Sequence, residues 1–227
     1  IKSLPLIVRT FRDSMRDMKV GSAKSALRTE QDISMAAILV GIIAMVFIIW
    51  VVPAIPVNLL GAALIVVFGF FFATVSARMV GMIGSSNNPV SGMAIATLLI
   101  ATMAIKASGQ TGIDGMKGAI AIGSVICVVA AIAGDTSQDL KTGYLLGATP
   151  KKQQIGEMLG VVIAALAIGG VLYLLDAAWG YGTANVPAPQ AALMKMIVEG
   201  IMGGNLPWNL VFIGVFLALG LEILRIP

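Results

Sequence analysis

Long uncharged apolar stretches alternate with short polar ones along this chain. Residues 34–52 carry no charge and are about long enough to cross a bilayer, since about 20 apolar residues span the hydrocarbon core. Asp32 or Ser34 can cap the start of that helix, and Pro53 and Pro56 end it in a short turn. Residues 57–77 form a second apolar segment, with Arg78 placed to snorkel to the interface. Residues 79–105 are uncharged but cannot make one clean helix, because Gly84-Ser85-Ser86-Asn87-Asn88-Pro89 interrupts them. The remainder, residues 90–105, is short for a full span. Residues 106–117 read as a Gly-rich loop, and residues 118–133 and 154–175 as the fourth and fifth apolar segments. Residues 176–190 read as a loop whose Trp179 and Tyr181 suit a membrane interface. Residues 191–202 read as a short amphipathic helix, with Lys195 and Glu199 on one face and Leu193, Met194, Ile197 and Ile201 on the other. Residues 206–224 are the sixth apolar segment.

The pattern predicts an all-α polytopic membrane protein. It has about six transmembrane helices, one of them with a Gly/Ser/Asn/Pro break, plus short interfacial helices. Composition agrees: 58% of the 227 residues are hydrophobic and 11% are charged, against about 25% charged in a soluble domain. Seven of the fifteen basic residues lie in residues 1–32, where Arg9, Arg12, Arg16 and Lys19 recur at helical spacing beside Val8, Phe11, Met15 and Met18. That is a basic amphipathic helix on an anionic leaflet, or a solvated linker. Either way it marks the cytoplasmic side. The chain therefore divides into a cytoplasmic juxtamembrane segment, residues 1–32, and a transmembrane region, residues 33–227. Six crossings that start inside put residues 1–32, Arg78, Lys141, Lys151, Lys152 and Arg225 on one side, and only Lys106, Lys117 and Lys195 on the other. Ile1 is not an initiator methionine and the last residues carry no polar tail, so the chain reads as an internal piece of a longer protein.

Chemistry-bearing residues are few. There is no His, and the single Cys127 lies in an apolar segment, so neither a disulfide framework nor a Cys/His metal site is expected. No nucleotide-binding or nucleophile-elbow pattern is present, and neither an enzyme, a cofactor nor a nucleic-acid partner is called for. The most polar run inside the apolar region is residues 133–152, with two carboxylates and three lysines. This run reads as the loop, residues 135–153, where the chain emerges on the cytoplasmic side, unless it lines a polar cavity. Asp135 and Asp139 are four apart and share a face if the helix continues, with Gln138, Lys141 and Thr142 close by. Such a group can carry a proton, a cation or a substrate ammonium, or can be a wetted helix end. Glu157 either snorkels to the inner surface or joins that group. The broken helix at Gly84–Pro89 is either a turn or a transporter binding region, where Asn87, Asn88 and Ser91 offer polar groups and the following helix start faces a carboxylate. Residues 201–207 echo residues 82–89 weakly, over a length that chance can produce.

The run Gly134-Asp135-Thr136-Ser137-Gln138-Asp139-Leu140-Lys141-Thr142-Gly143-Tyr144-Leu145-Leu146-Gly147-Ala148-Thr149-Pro150, followed by Lys151-Lys152-Gln153-Gln154, closely resembles a signature of the oligopeptide transporter (OPT) family. Arg28-Thr29-Glu30-Gln31-Asp32, Ile83-Gly84-Ser85-Ser86-Asn87-Asn88-Pro89-Val90-Ser91-Gly92-Met93 and Ala188-Pro189-Gln190-Ala191 resemble it too, in the same order. The resemblance is closer to the metal-chelate (yellow stripe-like) branch and its prokaryotic relatives than to the peptide branch. It implies a secondary transporter, proton-coupled, for small peptides or peptide-like metal chelates, working with further transmembrane helices of a longer chain. It also implies substrate binding at Asn87, Asn88, Pro89, Ser91 and Gly92, and coupling or gating at Asp135, Gln138, Asp139, Lys141 and Thr142. The competing reading is a non-transporting membrane scaffold or channel-like subunit.

Overall fold

The computed structural model describes Arg9, Arg12 and residues 27–53, 55–85 and 87–224. The basic amphipathic helix expected within residues 1–32 falls almost wholly outside the described residues, as do Ser86 and Arg225. After a 3-10 turn at Arg28–Glu30 come seven α-helices: α1 (Met35–Val51), α2 (Leu59–Ile83), α3 (Val90–Ala107), α4 (Gly112–Leu146), α5 (Pro150–Trp179), α6 (Pro189–Gly203) and α7 (Trp208–Leu224). Five helical segments are long and apolar enough to cross a membrane, and six if α6 and α7, which meet at a bend of 119°, count as one span.

The helix ends follow from local chemistry. Ser34 caps α1 by accepting from the Ala37 N–H at 3.3 Å, and Asn58 caps α2 by accepting from the Gly61 N–H at 2.8 Å. Gly84 stops α2 in the left-handed region at φ +77°, which a residue with a side chain enters at a cost. Pro150 and Pro189 each sit in the first turn of a helix, where the missing N–H would have no partner.

The core lies among α2, α3, α4 and α6. Ile65, Leu98, Ala101, Ile105, Ile122 and Val198 are buried together there. Between helices in lipid the hydrophobic effect gives little drive, so close packing must supply it. Glycine permits that approach. A Cβ on Gly118 would lie 2.5 Å from the Pro56 carbonyl oxygen, and one on Gly123 would lie 2.6 Å from a methyl of Leu98. In contrast, α1, α5 and α7 bury no residue, although α1, residues 158–175 of α5 and most of α7 are apolar on all sides. Faces of that size are stable against lipid or further helices, not against water.

Several boundaries differ from the sequence expectation. The 106–117 loop shrinks to residues 108–111, because α4 begins at Gly112. The run read as the 135–153 loop is helical to Leu146, and the turn is only residues 147–149. No proline interrupts residues 135–146, and 35 residues make a rod of about 52 Å, longer than the ~30 Å hydrocarbon core. The polar end is thus helix and not coil, on a rod longer than one crossing requires. The loop expected over residues 176–190 is residues 180–188. The short helix at 191–202 is present as α6, but its apolar stripe lies against protein: Val198 is buried with Leu98, Ala101 and Ile105, while Leu193 is exposed.

Candidate functional site

The last third of α4 presents three different faces. The first is fastened to α2. Ser137 Oγ donates to the Ala77 carbonyl at 2.8 Å, Lys141 Nζ donates to the Gly81 carbonyl at 2.5 Å, and Gln138 Nε2 reaches the Gly84 carbonyl at 3.5 Å. The second face is open. Asp135, Gln138, Asp139 and Thr142, at spacing i, i+3, i+4 and i+7, line a pocket of about 290 Å³. The third face meets α5. Thr136 Oγ1 donates to Glu157 Oε2 at 2.7 Å, and Gln153 Nε2 donates to the Asp139 carbonyl at 3.2 Å and to its carboxylate at 3.4 Å. A Cβ on Gly143 would collide with the Gln153 amide, so glycine there lets the amide in.

The two aspartates therefore differ in surroundings. Asp135 faces the open pocket, whereas Asp139 also borders α5, where the Glu157 carboxyl faces it. Gln153 Oε1 and Glu157 Oε1 are buried without a hydrogen-bond partner among the described residues. Two carboxyls and an unpaired amide oxygen at one seam make it rich in acceptors and short of donors. Groups of this kind are chemically able to take up a proton or a cation.

The helix break is tied to the same helix from the other side. Asn88 Nδ2 donates to Ser76 Oγ of α2 and, at 3.0 Å, to the Ala130 carbonyl of α4, while Ser76 Oγ donates to that carbonyl at 2.5 Å. Gly134 makes room for the knot, since a Cβ there would lie 3.0 Å from Asn88 Nδ2. Asn87, Pro89, Ser91 and Gly92 are exposed beside it. The two groups expected from the sequence thus meet on α4: the break anchors at Ala130, five residues before Asp135. Lys141 points at α2 and away from the aspartates it was expected to accompany.

Sequence reasoning missed Ser76, Thr136, Ser137 and Gln153 as site residues. The last three lie inside the family-like run, but Ser76 is one hydroxyl in an apolar helix, and no spacing flags it. A further contact joins distant stretches. Lys151 N donates to the Gln31 carbonyl at 2.8 Å, the Ile33 N–H donates to Gln154 Oε1 at 3.0 Å, and Gln154 Nε2 donates to Asp32 at 3.2 Å. The segment before α1 is thereby strapped to the start of α5.

Comparison with known proteins places these features. The model of the OPT oligopeptide transporter protein family matches residues 5–227. A putative oligopeptide transporter of Haemophilus influenzae is 32% identical over 234 residues, covering 89% of this chain and 37% of its own length. Two plant proteins match shorter stretches. The probable metal-nicotianamine transporter YSL13 of Oryza sativa subsp. japonica is 30% identical over 100 residues, 42% of this chain and 14% of its own. The probable metal-nicotianamine transporter YSL5 of Arabidopsis thaliana is 30% identical over 111 residues, 46% of this chain and 15% of its own. The chain spans less than two-fifths of the length of these relatives. No solved structure matches it.

Proposed function

The chain belongs to the OPT oligopeptide transporter family, and from that premise we propose that it is part of a proton-coupled secondary transporter for small peptides or peptide-like metal chelates. The observation that carries the reading is the end of α4. A carboxylate pair one turn apart faces an open polar pocket, on a helix whose other faces hold a broken helix and a second carboxyl-bearing helix. Polar groups of this kind persist in a membrane protein where they line a pathway.

In this reading the polar end of α4 and residues 1–32 lie on the cytoplasmic side. Asn87, Asn88, Pro89, Ser91 and Gly92 form the substrate side of the break. Asn88 fixes the break through Ser76 and Ala130, and Asn87 and Ser91 offer exposed polar groups to a peptide or chelate. Asp135, Gln138, Asp139 and Thr142 form the coupling pocket, and Lys141 holds it to α2. A carboxyl drives coupling only if its hold on a proton changes between the two access states. Asp139 meets that condition better than Asp135. The Gln153 donor and the Glu157 neighbour of Asp139 both come from α5, so movement of α5 against α4 would change its contacts.

The test is uptake by the full-length protein in proteoliposomes, with and without an imposed pH gradient. Labelled short peptides and metal–nicotianamine complexes are offered separately. Accumulation above equilibrium of either substrate only when the lumen is alkaline supports the proposal, and names the branch. Absence of saturable uptake of both returns the chain to the scaffold reading.

A further inference from the structure

The breaks that follow α2 and α6 are built alike. Each begins at a left-handed glycine with φ +77°, Gly84 in the first and Gly204 in the second. In each, the carbonyl three residues before that glycine accepts a lysine ammonium from another helix: Gly81 from Lys141 of α4 at 2.5 Å, and Ile201 from Lys106 of α3 at 2.6 Å. An asparagine comes next in the loop, at Asn87 and Asn88 in one and Asn205 in the other. Each break closes in a tight turn around a proline. Val90 N donates to the Asn88 carbonyl across Pro89, and Trp208 N donates to the Leu206 carbonyl across Pro207, both at 2.8 Å. The proline carbonyl then opens the next helix, accepting from Met93 N at 3.2 Å and from Val211 N at 3.3 Å. Agreement at four points of geometry goes well beyond the short sequence echo.

The two breaks pack against one helix at two separate levels. A Cβ on Gly134 would touch Asn88 of the first, and a Cβ on Gly115 would touch Met202 beside the second. Those glycines are 19 residues apart on α4, about 28 Å, close to the ~30 Å hydrocarbon thickness. A helix C-terminus presents unpaired carbonyls and the negative end of the helix dipole, so a lysine there supplies both a donor and a favourable charge.

We infer that the breaks formed by Gly84, Asn88 and Pro89 and by Gly204, Asn205 and Pro207 are two copies of one device, an inner and an outer gate at two levels of α4, with Lys141 and Lys106 as their positioning residues. The gating role rests on the transporter reading; the matched construction does not. Each lysine ties its break to a neighbouring helix, and releasing it frees that break while leaving the other closed.

The test is hydrogen exchange by mass spectrometry on the full-length protein in lipid, read on peptides covering residues 79–90 and 199–208. Lys141→Met is expected to speed exchange in the first about tenfold and leave the second within about twofold. Lys106→Met is expected to do the reverse. Lys→Arg at each site keeps a charged donor and should restore most of the protection, and Lys→Gln serves where the methionine variant does not fold. A variant that leaves its own break unchanged, or loosens both equally, overturns the inference. Uptake on the same samples should show a lowered maximal rate with an unchanged KM. A raised KM alone would make the lysines substrate contacts and overturn the positioning role. If the unaltered protein shows no uptake, the gating role falls with the transport reading, and the exchange data still decide the matched construction.

Discussion

Thr136 on α4 donates its hydroxyl to the Glu157 carboxylate on α5 at 2.7 Å. Together with the Gln153 amide over Asp139 and Gly143, the contact sets the register of two helices, although α5 buries no whole residue. It also puts Glu157 level with Asp139. If it holds the seam, the loss of thermal stability on Thr136→Val should be smaller in a Glu157→Ala background than in the unaltered protein. A coupling energy of about 1 kcal/mol is expected, in the range for polar pairs between membrane helices. Strictly additive effects in a double-mutant cycle would show that the pair does not interact.

Glycine positions should divide by what stands over them. At Gly118 an added Cβ meets the Pro56 carbonyl oxygen at 2.5 Å, and at Gly123 it meets Cδ2 and Cγ of the buried Leu98 at 2.6 and 2.7 Å. Gly160 has open space around it. Gly118→Ala and Gly123→Ala should therefore each destabilise, by about 1–3 kcal/mol. Gly160→Ala should be neutral or stabilising by up to about 1 kcal/mol, since alanine favours helix. Thermal unfolding of the three variants in one detergent ranks them, and equal losses at all three would contradict the packing.

Helix α4 marks how far the sequence could be read. Its membrane segment was legible because residues 118–133 lack charge, and its candidate residues because two aspartates sit four apart in an apolar chain. The polar end was not legible as helix. Hydropathy treats a charged run as an exit from the membrane, whether it leaves as a coil or as a projecting rod. Nor could spacing say that Lys141 serves the Gly81 carbonyl, because that depends on α2 lying alongside. For α6 the apolar stripe was visible in Met194, Ile197 and Ile201, but a stripe does not reveal whether lipid or protein covers it. The lysine at each break was likewise out of reach, since Lys141 lies 60 residues and Lys106 95 residues from the carbonyl it caps.

Topology gives a further prediction. The turn at residues 147–149 and the loop at residues 180–188 lie at the two ends of α5, a helix of 30 residues and about 45 Å. With Cys127 replaced by serine, cysteines at Ala148 and Thr183 should react with an impermeant thiol reagent from opposite sides of the membrane, Ala148 from the cytoplasm. Reaction of both from one side would remove α5 as a crossing and reverse the placement of the coupling pocket.

The sharpest prediction separates the two aspartates. Asp→Asn keeps shape and most hydrogen bonding but removes titration. If Asp139 carries the coupling proton, Asp139→Asn should abolish accumulation driven by a pH gradient, while exchange of substrate at equal concentrations persists at least in part. Asp135→Asn should weaken accumulation only partly, because the side-chain contacts from α5 described above fall on Asp139 and not on Asp135. Gln153→Ala removes the amide that donates to Asp139 and should alter the pH dependence of uptake without altering substrate affinity. Lys141→Gln should leave that pH dependence unmoved, since its ammonium is directed at the Gly81 carbonyl. Uptake into proteoliposomes with and without a gradient reads all four. Gradient-driven accumulation at the wild-type level in Asp139→Asn, in Asp135→Asn and in the double variant would sink the coupling assignment. Loss of both accumulation and exchange in Asp139→Asn would instead make that carboxylate a substrate or packing residue, and the coupling proton would have to be carried elsewhere in the longer chain.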